Sequence, residues 1–573
     1  MGLASLLVAL DEGVTGLFAQ WNVWTSIIST TLIGFLTYQL VTRQDPDIHP
    51  FLLARQAQGS PVRYPGESSV YRSHAAPHGM PLNASLNVKE PGASKWARGR
   101  DGDLRDVWRQ AVNGVLDEGP DKGATGRILT VLGTDKVVEH SLDALTRQIN
   151  LIGQHLVEQG AKQVAIYLPN SVELLITLFA CAFYDLDAVI LPFGKPNDAV
   201  ISMLRRSASD TVVTTPGAFP FDFVVRHYPS LHRVVWVVDD GNKHLDWNEV
   251  PKGTGSSVNV STWQDVVNDS PSDAGRELPP LQDQKPPADV TVFWDSKPDQ
   301  EEEMVRFTSA NLISGIAAQL SAIPTAQRIG PRDLFLPADS LANTHTLVLT
   351  LAALFSNASV AFSSAAPGAE DLAAAVRAVP DLHPTILVAT PAALLKTQQD
   401  AAATRKSSLF ARLSHARRVR NLIRSGAMPP ANPSSVVPQG SKLRLILTTE
   451  RAGANTPRLS TAALADLRVL TGARVVYALT AARVAGAVAQ TGLYDYRLVG
   501  EDADELEDET GKGMHFGPPV TSTEVLFRDR DGLRSGEMAS MGEIIVRGPC
   551  VAGDEVALGV LGRMRKDNTI TYV

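Results

Sequence analysis

Val164-Ala165-Ile166-Tyr167-Leu168-Pro169-Asn170-Ser171-Val172-Glu173, residues 164–173, begins as an apolar, β-rich run, turns at Pro169-Asn170 and passes into a helix. The pattern predicts a strand at 164–168, a helix from Ser171 to about Tyr184 and a second apolar strand at 188–192. Upstream, Leu142, Leu145, Ile149, Ile152 and Leu156 recur at helical spacing, with Ser141 available as a cap and Gly160 as a stop. Short β-rich runs continue at 211–214, 233–238, 334–336, 359–362, 385–388, 443–447 and 474–476, alternating with amphipathic segments. That order argues for helix-covered parallel sheets, more than one of them. After about Gly517 the pattern changes to alternating strands at 523–528 and 542–546 with Gly-rich turns, the mark of a small mixed or barrel-like β-unit.

The chain has 573 residues, room for roughly two to four domain-sized units, and a net charge of −8 with no overall nucleic-acid signature. Its two cysteines, Cys181 and Cys550, are too few for a disulfide framework or a Cys-based zinc site and fit a reducing compartment. The N-terminus differs in character. No charged side chain occurs from Gly13 to Thr42, and the apolar stretch at about 23–42 has the length to span a bilayer, with Trp21, Trp24 and Tyr38 suited to its interfaces. Ser26, Ser29, Thr30, Thr31 and Thr37 weaken its hydropathy, so a re-entrant or interfacial segment is the alternative. Asp11 and Glu12 precede it while Arg43, Arg55 and Arg63 follow, which places the bulk of a single-pass protein in the cytosol. The endoplasmic reticulum is the default for such an anchor, with peroxisome and lipid droplet as alternatives.

The organisation read from these changes is an anchor at 1–43, a tether at 44–123 with one helical patch at 104–115, a main domain at 124–563 whose last β-unit begins near 517, and a tail at 564–573. Within the main domain, 239–288 is polar and proline-rich and reads as loop. Residues 396–424 hold eight Lys or Arg against one acid, Asp400, with Leu409, Phe410, Leu413, Leu422 and Ile423 between them. Residues 501–509 hold seven acids in nine positions. Charge runs are most often solvated faces; for the basic one, contact with an anionic membrane is the sharper reading.

Several motifs together resemble the adenylate-forming superfamily. Ala165-Ile166-Tyr167-Leu168-Pro169-Asn170-Ser171-Val172-Glu173 looks like its opening βα unit, and Leu336-Pro337 with 347–354 like its LPLFHxxG region. Residues 384–396 resemble PTxxxxVPxLLxK, 443–447 and 475–480 the strand and YGxTE motif near the nucleotide, Phe516-Gly517-Pro518-Pro519 the VGxP motif, and 542–549 GEIxVRGP. With the N-terminal apolar segment and the basic insert, the resemblance is closest to membrane-anchored long-chain acyl-CoA synthetases. It implies an α/β fold of two Rossmann-like parallel-sheet subdomains plus a small distorted β-barrel, here preceded by one N-terminal transmembrane helix. Val573 falls just before the hinge, so the C-terminal domain carrying the adenylation lysine is expected to be absent.

The resemblance also implies a nucleotide site, and its chemistry is degenerate. The phosphate loop TSGTTGxPKG falls on Asp295-Ser296-Lys297-Pro298-Asp299-Gln300-Glu301-Glu302-Glu303-Met304, which keeps Ser296, has no glycine and puts Glu303 in place of the lysine. Wrapping phosphate needs backbone N–H groups freed by glycine together with a cation. YGxTE falls on Tyr477-Ala478-Leu479-Thr480-Ala481, where Ala481 replaces the magnesium-holding Glu. The glycine-rich adenine turn has become Thr448-Thr449-Glu450-Arg451, Asp339-Ser340 replaces the gate beside the acyl pocket, and Val560 stands where the ribose-binding Asp belongs. No GxSxG, HExxH, Walker loop or GxGxxG after a strand offers another catalytic centre.

The expectation is therefore an acyl-CoA-synthetase-like pseudoenzyme with a scaffold or regulatory role in lipid metabolism. It would have no catalytic residues, no metal site and no required cofactor. Its degenerate nucleotide site comprises Ser296, Glu303, Tyr477, Thr480, Ala481 and Val560. Its partners are membrane lipids, with fatty acyl chains or a protein as further candidates, and no nucleic acid. The alternatives are a long-chain fatty acid–CoA ligase with residual activity, which would need ATP, Mg and CoA, or a fatty-acyl binding module.

Overall fold

The computed structural model describes residues 15–16, 21–42, 45–90, 92–94, 96–116, 119–132, 136–238, 258–280, 285–295, 301–365, 382–406, 408–429, 442–498, 513–530 and 540–573. Three sheets organise them. The first runs Glu303–Phe307, Val290–Trp294, Asp187–Ile190, Gln163–Tyr167, Thr211–Thr214, Arg233–Trp236, Asn259–Thr262, parallel except for its first strand. The second runs Ala489–Gln490, Arg474–Thr480, Leu445–Arg451, Ile386–Val388, Leu334–Pro337, Ser359–Ser363, Ile128–Leu132, Lys136–His140, with antiparallel strands only at its two edges. The third is an open antiparallel half-barrel.

The decisive stretch folds as its pattern dictates. Gln163–Tyr167 forms a buried central strand, Ser171 caps the next helix by accepting from the Leu174 amide, and Val172–Tyr184 is buried along nearly its whole length. Leu142–Glu158 packs beside it under its own Ser141 cap. Buried strands covered on both faces read as continuous apolar runs, which is why the parallel sheets were visible in sequence.

Some expectations need correction. Residues 44–123 are more than a tether: Ala57–Gly59 and Tyr71–Ser73 add two strands to the third sheet. Leu104–Asn113 buries Trp108 completely against Phe179, with ring centroids 5.2 Å apart. Residues 564–573 contribute Ile570–Tyr572 to the same sheet, beside Glu555–Met564, so the β-unit reaches beyond 563. Within 239–288, Asn259–Thr262 is an edge strand and Trp263–Asn268 a short helix. At the N-terminus a helix does form at Val23–Thr42, with Val23 74% and Trp24 72% exposed. Among the described residues, however, no helix is long and apolar enough to cross a membrane, as its serines and threonines dilute the apolar run.

One apolar core links all three sheets, from Ile166 and Val292 through Phe335 and Val475 to Phe527 and Ile544. The third sheet comes this close because of Gly517, whose φ is +70° and where an added Cβ would lie 2.0 Å from the Gln490 carbonyl oxygen.

Candidate functional site

The carboxyl ends of parallel strands from the first and second sheets meet where open α/β sheets place their ligands. Val290–Trp294 ends at Trp294, Leu445–Arg451 at Arg451 and Arg474–Thr480 at Thr480. The Arg451 guanidinium carbon sits 4.4 Å from the centroid of the Trp294 ring, a cation–π contact between sheets. Arg451 pairs in register with Thr480, and the Ala452 amide donates to the Thr480 carbonyl at 2.8 Å. Burial pulls the Arg451 pKa down, opposed by the nearby charges of Asp339 and Asp295.

Glu450 occupies the middle. Its side chain is 3% exposed, and its Oε2 accepts from the Tyr477 hydroxyl at 2.7 Å. Burial raises its pKa to about 7, against the hydrogen bond from Tyr477 and the charge of Arg458, whose Nε lies 3.8 Å away. Tyr477 is wholly buried: its ring meets Phe516 at a tilt with centroids 5.4 Å apart, and its hydroxyl also accepts from the Leu459 amide. Burial first, and the neighbouring carboxyl second, raise its pKa well beyond the phenol range. Phe516 in turn meets Tyr572 at 4.9 Å, and Arg458 covers that ring at 4.7 Å. The last strand of the third sheet therefore helps to pack this place.

Thr480 is 1% exposed and donates its hydroxyl to the Glu450 carbonyl at 3.0 Å. Ala481, next in the chain, is 3% exposed and has no carboxylate to offer a metal. Glu303 closes the Val290–Trp294 and Glu303–Phe307 hairpin opposite Trp294. It accepts from Arg483 at 2.7 Å across partly solvated space. At the other lip, Lys195 Nζ reaches Asp295 at 2.8 Å and Glu302 at 3.0 Å. Burial works against the Lys195 charge, but those two hydrogen bonds outweigh it and hold the pKa above the usual lysine value.

The structure thus gathers four of the predicted positions, Glu303, Tyr477, Thr480 and Ala481. Ser296 lies outside the described residues. Val560 sits half-buried against the core in Glu555–Met564, and no described hydrogen bond or ion pair links it to the other four. Lys195 and Arg483 were not singled out in the sequence, while Glu450 and Arg451 were noted only as replacements in the adenine turn. The position of Lys195, shortly after the carboxyl end of Asp187–Ile190, was the available signal.

At these positions the donor set does not suit a magnesium-bound triphosphate. The turn carries a buried carboxyl, the tyrosine ring is packed by protein, and among the described residues Lys195, Arg483 and Arg451 near the phosphate-loop position each have a carboxylate or aromatic partner.

Comparison with known proteins fits this architecture. Residues 304–553 match the family described as AMP-binding enzyme. The crystal structure of VinN superposes with a TM-score of 0.55 at 13% identity, covering 82% of this chain and 98% of that one. The N-terminal domain of FACL13 from Mycobacterium tuberculosis gives 0.55 at 14%, covering 82% and 99%. The anthranilate CoA ligase AuaEII in complex with anthranoyl-AMP gives 0.56 at 13%, covering 82% and 76%. No curated protein matches the sequence. Residues 304–553 thus match the AMP-binding family model, and the chain shares the fold of these solved structures.

Proposed function

We propose that this chain is an acyl-CoA-synthetase-like protein, nearest to the long-chain fatty acid ligases, that retains the ligase scaffold without nucleotide chemistry. Its role is that of a membrane-associated scaffold or regulator in lipid metabolism, at the endoplasmic reticulum by default, and it requires no ATP, magnesium or CoA. The observation that carries the reading is the buried Glu450–Tyr477 pair. A carboxyl hydrogen-bonded to the family's tyrosine fills the turn where an adenine would need glycine and an open ring face. Phosphates approaching the hairpin would meet Glu303 in place of a cation. Two unit charges about 4 Å apart interact by about 4 kcal/mol at an effective dielectric near 20, so that exchange turns attraction into repulsion of similar size. Membrane association is supported by the exposed apolar side chains of Val23–Thr42, Ile28, Ile33 and Phe35 among them. Lying in the interface suits the helix better than spanning.

The test is catalytic. Purified chain with Mg-ATP, CoA and fatty acids of graded length is expected to release no pyrophosphate above background. Acyl-dependent release that falls on Thr480→Val would overturn the proposal in favour of an active ligase.

A further inference from the structure

The helix Leu409–Ser425 follows the helix Pro391–Arg405 and is capped by Ser408 and by Gly426 in the left-handed conformation. Its sequence, LFARLSHARRVRNLIRS, has five arginines and no acid. One face is spoken for: His415 hydrogen-bonds Asp466, while Leu422 packs with Ala465, Val469 and Tyr496. At 3.6 residues per turn, Leu409, Leu413, Arg417, Arg420 and Arg424 lie together on the opposite face. Phe410 borders that stripe. Leu409 is 73%, Phe410 81% and Leu413 70% exposed, so three adjacent large apolar side chains stand in water. Among the described residues no ion pair engages Arg417, Arg420 or Arg424.

A second feature adjoins the helix. The Asp47 amide donates to the Gly426 carbonyl at 2.9 Å, and the Asp47 carboxylate accepts from Tyr496 at 2.7 Å and from Arg474 at 3.2 Å. The segment that follows Val23–Thr42 is thereby fastened to the C-terminal turn of the basic helix. Next in sequence, Pro50–Ala54 leaves Phe51 78% and Leu52 58% exposed. Between the two segments runs a cleft of about 760 Å³ whose lining includes Arg417, Arg424, Ile48, Leu53 and Tyr494, with Asp45 as its one carboxylate.

We propose that this face docks on the surface of an anionic phospholipid bilayer. Leu409, Phe410 and Leu413 enter the boundary between headgroups and acyl chains. Arg417, Arg420 and Arg424 meet the phosphates, and the cleft receives a headgroup. Charge complementarity alone would admit a nucleic acid or an acidic protein. The apolar triad on the same stripe favours lipid, as does its attachment to the segment that follows the N-terminal apolar helix.

The inference deepens the membrane association proposed above, and the two can fail separately. Flotation of the full chain is measured with vesicles of phosphatidylcholine alone and of phosphatidylcholine with phosphatidylserine, at low and high salt. Phosphatidylserine is expected to strengthen partitioning, with roughly a fivefold loss for each arginine removed. Val23–Thr42 has no charged side chain, so a gain from anionic lipid does not come from that helix, and the arginine variant tells whether it comes from this face. The triple variant Arg417→Gln, Arg420→Gln, Arg424→Gln is expected to lose that gain while binding neutral vesicles like the parent. Leu409→Ser, Phe410→Ser, Leu413→Ser is expected to weaken binding to the anionic vesicles, with the unfolding temperature of both variants confirming the fold. Equal partitioning onto the two vesicle types, a gain that survives the arginine variant, or one untouched by the apolar variant would overturn the docking face. Absence of all vesicle binding by the parent chain would overturn membrane association as well.

Discussion

The helix Leu104–Asn113 and the turn ending Leu445–Arg451 are both buried, and they hold opposite chemistry. Around Trp108 the neighbours are apolar, and the indole N–H finds a single polar partner in Thr146 at 3.1 Å. Around Glu450 an ionisable carboxyl, a phenol and Arg458 share a space closed by Phe516 and Tyr572. The first arrangement holds the scaffold together. The second fills the ends of the parallel strands with the protein's own ionisable groups, and it keeps an electrostatic cost that a purely structural core would have shed.

Replacing Trp108 should have the largest effect. Trp108→Ala removes a wholly buried indole and is expected to cost ~3–5 kcal/mol in urea unfolding; a cost below ~1 kcal/mol would show that the helix is a removable attachment. Glu450→Gln tests the other side. The folded pKa of Glu450, about 7 against an ordinary value near 4.5, means that the native state favours the protonated acid. Its stabilising contribution is therefore full below pH ~4.5 and is lost as pH rises through ~7, a difference on the order of 3 kcal/mol. Glu450→Gln should thus be more stable than the parent at pH 8, with the gap closing by pH 5. A gap independent of pH would mean that Glu450 is not a strained acid. The smallest effect belongs to the Glu303–Arg483 pair, roughly half exposed on both sides. A double-mutant cycle should return no more than ~1 kcal/mol, falling with salt.

The scaffold was readable because its strands are apolar runs and its helices carry period-matched faces with Ser caps, as at Ser141 and Ser171. Ala57–Gly59 and Tyr71–Ser73 were not, since three-residue strands show no periodicity and exist through pairing with Glu524–Arg528 far along the chain. The same limit applied to the site. Loss of glycines at the loop and the turn was plain, but the contacts that fill this place were hidden. Lys195 meets Asp295 across 100 positions, Tyr477 meets Glu450 across 27, and Arg451 meets Trp294 across two sheets. Val560, aligned by motif alone, lies in the strand Glu555–Met564 of the third sheet, half-buried against the core.

The most direct test of the central claim is nucleotide binding by the full chain. Unfolding temperature is followed with Mg-ATP and with AMP up to millimolar concentration, with isothermal titration alongside. A ligand at a hundred times its Kd stabilises by ~2.7 kcal/mol, so even weak binding would register. The account predicts no shift and no heat. A saturable rise with one-to-one stoichiometry, abolished by Tyr477→Ala, would contradict it.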